Sequence, residues 1–340
     1  MTKYSCSMII KYILRDLPKN DYPVLNSRLF FGCWLSLVMD NSLTSMRDLF
    51  KRINNTGIDV DISTFSKASS HRDLKPFQQI YQKLNQLVQK KNQKKLHDKY
   101  SVCPIDSTII TLTSKLLWVS EYHQVKLLSS LNLATGTPED NFINFGSDHD
   151  YKFGAKMMSS LPPNAVGVMD RGFAGLNFIE ELVQENKYFV FRKKNNCQLE
   201  FHGESGLIKV GSSGDAKAYR VINFCARTTQ TEFRLVTNLP AQGEAAVSDD
   251  EIRDIYRLRW GVELLWKFLK MHLKLDKLIT KNVKGITIQI YVSLIAYLIL
   301  QIISIPEEWG NKLLDKFRYL QCCMCQKISD VHWFEEMTFF

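Results

Sequence analysis

The apolar positions of the chain change period several times. From 27 to 98 they recur at helical spacing: Leu29, Phe30, Cys33, Trp34, Leu37 and Val38 share one face, and Met46, Leu49, Phe50 and Ile53 share another. Asn41-Ser42 reads as the cap of a helix over 43–54, which Asn55-Thr56-Gly57 ends. Ser63 is placed to cap the next helix. Pro76 suits the first turn of the one after, which runs toward Lys90-Lys91 and Lys94-Lys95. After 99 the period shortens. Runs at 102–112, 125–133 and 142–145 predict strands, 150–161 a helix, 165–169 a short strand, 176–185 a helix and 188–192 a strand, which is an α/β order. Four short runs between 197 and 240, separated by Gly, Ser and Asp turns, predict a small antiparallel β insertion. Helix returns from 248 to about 275.

The stretch 286–305 carries no charge and is long enough to cross a bilayer. Gln289, Ser293, Gln301 and Ser304 interrupt it, so it reads as a buried core helix. The pattern divides the chain into a helical region (1–98), an α/β core (99–196 and 248–305), a β-rich insertion (197–247) and a C-terminal tail (306–340).

Composition narrows this picture. With 45% hydrophobic and 23% charged residues in 340, collagen, coiled-coil and low-complexity classes are excluded. Eight cysteines are too sparse for a disulfide scaffold, and no export signal is visible, so a cytoplasmic chain with reduced thiols is expected. The net charge of +9 is unevenly placed. Residues 1–100 hold 17 Lys and Arg against 8 acids, whereas 101–340 hold 27 of each. A basic module ahead of a neutral body points to a polyanion partner; a solvated basic surface is the plainer alternative. Short helices and tight turns suit a helix-turn-helix-like DNA binder, although other small bundles look alike.

The predicted helix over 249–275 carries the chemistry. At ~100° per residue, Tyr256, Arg259, Glu263, Lys267, Lys270 and Lys274 fall on one stripe, with Leu258, Val262, Leu265, Phe268, Leu269 and Leu273 on the other side. One carboxylate among four cations suits a face that meets phosphate, with the acid serving a divalent metal. Further acids would have to come from elsewhere. Asp106, inside Pro104-Ile105-Asp106-Ser107-Thr108, and Asp170, after Val166-Gly167-Val168-Met169, stand where strand neighbours make an acid unfavourable unless it is paired or metal-bound. A salt bridge to a buried Lys or Arg is the other explanation for each.

Tyr256-x2-Arg259-x3-Glu263-x6-Lys270 resembles, at every spacing, the Y-R-E-K signature of the DDE transposases of the insertion sequence 4 family. Asp170-Arg171-Gly172-Phe173 resembles that family's second-aspartate motif and Ile105-Asp106-Ser107-Thr108 its first. Lys126-Leu127-Leu128 and Gly136-Thr137-Pro138, leading to His149-Asp150, resemble the linking segment. The resemblance spans 27–300. It implies a ribonuclease-H-like core with a β-rich insertion, preceded by a helical DNA-binding domain. Asp106 would lie on the first strand, Asp170 just after the fourth and Glu263 on a later helix, together holding two Mg2+ ions, with Mn2+ able to substitute. Tyr256, Arg259, Lys267, Lys270, Lys274 and Arg171 would contact DNA.

The function so implied is cutting at insertion-sequence ends and joining the freed 3′-OH to target DNA. The partners are double-stranded ends and target, with a homodimer at paired ends, in the nucleoid-containing cytoplasm of a prokaryote and away from membranes. A silent DNA-binding remnant and a structure-specific nuclease on the same fold are the alternatives. Cys322-Cys323-x-Cys325 lacks a second ligand pair and reads as structural rather than as a zinc site. His149 beside Asp150 reads either as half of a surface pair or as a support to the acid site. Trp260 and Trp266 flank Glu263 and read either as core or as a stacking platform for a base.

Overall fold

A computed structural model of the chain describes residues 4–19, 22–55, 57–92, 100–112, 122–173, 187–192, 201–202, 207–210, 217–225, 232–280 and 282–325. The expected helix at 176–185 and the pair Lys94-Lys95 lie outside them. The chain forms two compact units: Met1–Lys91, Ile110–His123 and Lys267–Phe340 in one, and Asn92–Ile109 with Gln124–Trp266 in the other.

The first unit is helical. It contains α1 (Cys6–Arg15), α2 (Ser27–Met39), α3 (Met46–Asn55), α4 (Ile62–His71) and α5 (Lys75–Lys91). Side-chain oxygens of Ser5, Asn26 and Asp61 cap α1, α2 and α4 by accepting N–H bonds that the first turn leaves unpaired. Asp61, not Ser63, is thus the cap of α4, because an acid outside the helix also meets the positive end of its dipole. The helix expected from 43 begins at Met46, since Thr44 and Ser45 donate to Asp48 instead of joining it. Gly57, at φ +89°, turns the chain between α3 and α4. Phe65 of α4 packs its ring against Phe30, Trp34 and Phe50.

Two later helices complete this unit, which corrects the expected division. Val283–Ile302, the charge-free segment, packs against α2, α4 and α5 and is buried almost throughout. It is long and apolar enough to cross a membrane, yet 83% of its apolar window is inside the protein. Its polar residues are spent on backbone: Gln289 donates to the Lys274 and Lys277 carbonyls, and Ser293 to that of Leu273. An all-round apolar helix needs cover on every side, and here the N-terminal helices supply it. The expected tail also folds in part: Leu313–Cys325 is a helix whose Phe317 ring meets Phe268 and His272.

Among the described residues, the second unit is built on a nine-stranded sheet of order β3-β2-β1-β4-β5-β9-β8-β7-β6. Its strands are β1 (Ser101–Thr111), β2 (Gln124–Asn132), β3 (Thr137–Phe145), β4 (Ala165–Met169), β5 (Tyr188–Arg192), β6 (Phe201–His202), β7 (Leu207–Val210), β8 (Lys217–Cys225) and β9 (Glu232–Thr237). β1, β4 and β5 run parallel, and the order 3-2-1-4-5 is that of a ribonuclease-H-like core. The β-rich segment is antiparallel as expected, but it is not a separate body. β9 pairs with β5, and β8, β7 and β6 continue outward from it.

Apolar side chains cover both faces. Cys103, Ile105, Leu128, Met157, Met169 and Phe189 form one cluster, and Val102, Val166, Val168, Val190, Ile252 and Ile255 the other. The segment expected to be a helix over 150–161 opens as a 3-10 turn, Asp150–Phe153, before α6 (Gly154–Ser159).

Candidate active site

The site grows from a register. β1 and β4 pair in parallel from Ser101↔Ala165 to Ile105↔Met169. The next residues are Asp106, still on β1, and Asp170, just past β4, so the two acids stand at the same level on neighbouring strands, which lie about 4.8 Å apart. Side chains alternate along a strand. Val102, Val166 and Val168 lie in the cluster with Ile252 and Ile255 of α7 (Asp249–Arg257). By that alternation the two aspartates belong to the α7 side of the sheet.

α7 starts firmly: Ser248 and Glu251 form a reciprocal capping box, and Asp249, Asp250 and Glu251 fill the first turn. It ends where continuous helix was expected. Leu258 and Arg259 form a turn, and α8 (Trp260–His272) begins anew. Gly261 permits this start, because a Cβ there would stand 2.7 Å from the Leu133 side chain. The six-residue stripe is thereby divided: Tyr256 on α7, Arg259 in the turn, Glu263, Lys267 and Lys270 on α8, and Lys274 beyond it with φ +49°.

Arg259 joins the helices to the acids. Its Nη1 donates to Glu263 Oε1 at 2.6 Å, with the Arg side chain 14% exposed and the Glu 30%. Burial works to lower the Arg259 pKa, but the bonded Glu263, with Tyr256 and Asp170 nearby, raises it overall. Tyr256 is pushed up, first by burial and also by the Asp170 charge, against the pull of Arg259. Asp106 is pushed up to about 6. Burial is the main cause; the Ser107 N–H and Arg259 oppose it, while Glu263 and Asp150 add repulsion. Asp170 accepts the Arg171 N–H at 2.7 Å, and buried Phe173 anchors the turn that follows.

Four carboxylates thus act in one neighbourhood with too little positive charge around Asp106. All-oxygen donors of this kind suit a hard divalent cation. Among the described residues, no group of three or more His, Cys, Asp or Glu stands close enough to hold a metal as placed, and Glu263 is engaged by Arg259. The donor chemistry fits a divalent ion, although Glu263 as placed is bonded to Arg259.

The remaining expected contacts separate. Lys267 and Arg171 are exposed and Lys270 is half-buried. Lys274 is not on the helical stripe: its Nζ donates to the carbonyls of Asp40 at 2.6 Å and Leu43 at 2.7 Å, and burial pushes its pKa down to about 8. Of the two tryptophans, Trp266 is buried and Trp260 is 62% exposed, with the Arg259 guanidinium 5.5 Å from its ring centre. Cys322 is an exposed free thiol, while the side chains of Cys323 and Cys325 lie outside the described residues. Asp150 and Lys126 were named only within the linking segment of the resemblance, and not as partners of each other. The available signal was a lysine standing inside the apolar run of β2.

Comparison with known proteins bears on this geometry. Residues 97–299 match the transposase DDE domain. Over 333 residues, 97% of each chain, the sequence is 49% identical to a transposase for insertion sequence element IS4SA from Synechocystis. It is 25% identical to one for element IS5377 from Geobacillus stearothermophilus, over 58% of this chain and 55% of that one. The fold is similar to that of the piggyBac transposase in a synaptic complex with hairpin DNA, with a TM-score of 0.51 at 11% identity, covering 98% of this chain and 82% of the other.

Proposed function

The chain belongs to the DDE transposase family and is an enzyme that acts on DNA; from that premise we propose that Asp106, Asp170 and Glu263 are its catalytic carboxylates. Enzymes with this domain work with divalent metal ions. Here the three acids would hold two Mg2+ ions, which Mn2+ can replace. When bound, such ions stabilise charge on the oxygens that attack and leave phosphorus.

The observation that carries the reading is the register that sets Asp106 and Asp170 level on neighbouring strands, on the side covered by the helix leading to Glu263. The chain's own residues then have distinct tasks. Arg259 releases Glu263 and grips a phosphate of the DNA end with two N–H bonds. Tyr256, Lys267, Lys270 and Arg171 hold neighbouring phosphates and fix the register of the end without reading its sequence. Lys274 is occupied by backbone carbonyls and is withdrawn from that set.

In the reaction, water displaces the 3′ oxygen at an insertion-sequence end, and that freed hydroxyl displaces a 3′ oxygen in target DNA. Two copies of the chain act at two paired ends, in the nucleoid-containing cytoplasm of a prokaryote. Alanine at Asp106, Asp170 or Glu263 should abolish nicking and joining of an end-containing duplex while its binding persists. Retained nicking by any one variant removes that residue from the site.

A further inference from the structure

Asp150 opens the 3-10 turn on the segment that links the two aspartate strands. Its Oδ1 accepts from Lys126 Nζ at 2.8 Å, and the same ammonium donates to the Asp148 carbonyl. The lysine stands on β2 with its side chain only 8% exposed, while Asp150 is 26% exposed. As a device for stability alone this is poor, since taking two charges out of water costs about as much as their attraction returns. A neutral pair of the same shape would hold the turn as well.

Two observations give the charge a use. A Cβ added at Gly172 would lie 3.8 Å from Asp150 Oδ2, so the carboxylate's other oxygen stands beside the turn that carries Asp170. Asp150 is also among the charges that act on Asp106. One oxygen is therefore fixed by a buried cation, and the other stays with the aspartate turn.

We infer that Asp150 is a positioning residue of the cation site: held by Lys126, it adds a fixed negative charge beside Asp106 and Asp170 and so strengthens binding of a divalent ion. This rests on the reading of Asp106, Asp170 and Glu263 as that site. Lys126 sets the direction of the Asp150 carboxylate and offsets part of its field.

The test uses the full chain without DNA and Mn2+ as the probe, titrated by calorimetry and by water-proton relaxation. Asp150→Asn keeps an oxygen for Lys126 to bond and removes the charge. It should weaken Mn2+ binding about tenfold, the scale of one charge a few ångströms away, measured at a temperature where the variant is folded, since the unpaired Lys126 lowers its stability. Asp150→Glu should recover part of the loss. Lys126→Met removes the cation that both directs Asp150 and offsets its field, so the Mn2+ affinity should change, and it serves where Asp150→Asn does not fold.

Asp106→Asn provides the control. If it weakens Mn2+ binding while Asp150→Asn and Lys126→Met leave it unchanged, Asp150 is only a brace for its turn and the inference is overturned, with the three-acid site intact. If Asp106→Asn also changes nothing, the three-acid reading itself is wrong and this inference goes with it.

Discussion

Asp106 and Lys274 are both charged groups pushed from their ordinary range by burial, one up to about 6 and the other down to about 8. Their surroundings differ. Lys274 faces the carbonyls of Asp40 and Leu43, which accept from its ammonium. Asp106 faces Glu263 and Asp150, which repel it, and a single Arg259 already bonded to Glu263. The lysine's charge is taken up by two backbone carbonyls, whereas the aspartate has two acids close by and an arginine that Glu263 already engages. Lys274 too has like charges near it, in Lys277 and Arg52, so neither burial nor repulsion alone marks a functional charge; the difference is that backbone acceptors take up the charge of the lysine.

The largest effect expected from this contrast is on stability against pH. In the fold Asp106 ionises near 6, above its ordinary value of 3.8. The folded state therefore favours the protonated form. Stability supplied by that proton is full below pH 4 and is lost as pH rises through 6, about 3 kcal/mol in all. Asp106→Asn should thus raise the melting temperature of the metal-free protein at pH 7 and leave it nearly unchanged at pH 4. An equal shift at both values would mean that the fold does not raise the Asp106 pKa.

Next come the two cations that anchor the contrast. Lys274→Ala leaves two carbonyl oxygens without their donor and should cost about 1–3 kcal/mol of stability, read by urea unfolding, without a specific effect on chemistry. Arg259→Ala should instead spare most stability and weaken the hold on the cleaved end by roughly tenfold to a hundredfold, the worth of a charged hydrogen bond. Arg259→Lys should be milder for end binding, yet it loses the two-pronged grip. Joining should suffer more than first-strand nicking, because it must hold end and target together. A ratio of joining to nicking that stays constant across these variants would reduce Arg259 to a brace for the turn between α7 and α8.

How much of this was legible beforehand follows from the same residues. Strands 165–169 and 188–192 were readable to the residue, because short apolar runs between polar turns leave little choice of boundary. Asp106 and Asp170 were visible as acids out of place among apolar neighbours. The helix break at 258–259 was not. It depends on Gly261 pressing against Leu133, a contact between residues far apart in the chain, and ideal rotation continued straight through it. The same blindness placed Lys274 on a stripe that ends before it. The placing of 283–302 in the α/β core differs from the structure for a related reason. Helical spacing shows which face of each N-terminal helix is apolar, but not that the segment covering those faces is Val283–Ile302.

The smallest effect separates what remains of that stripe. Lys267 is exposed on α8, so replacing it by alanine should change stability by no more than about 0.5 kcal/mol. If its ammonium neutralises one phosphate of the DNA, the variant should reduce the slope of log affinity against log salt by about 0.9, evenly across end sequences, since a phosphate contact carries no base information. Lys274→Ala should leave that slope as it is and lower the melting temperature instead. The two lysines are seven residues apart, and ideal helical rotation puts them on one face. A salt slope that falls for Lys274→Ala and not for Lys267→Ala would reverse their assignment: it would mean that DNA draws Lys274 away from the Asp40 and Leu43 carbonyls, and that the helical stripe re-forms when the end is bound.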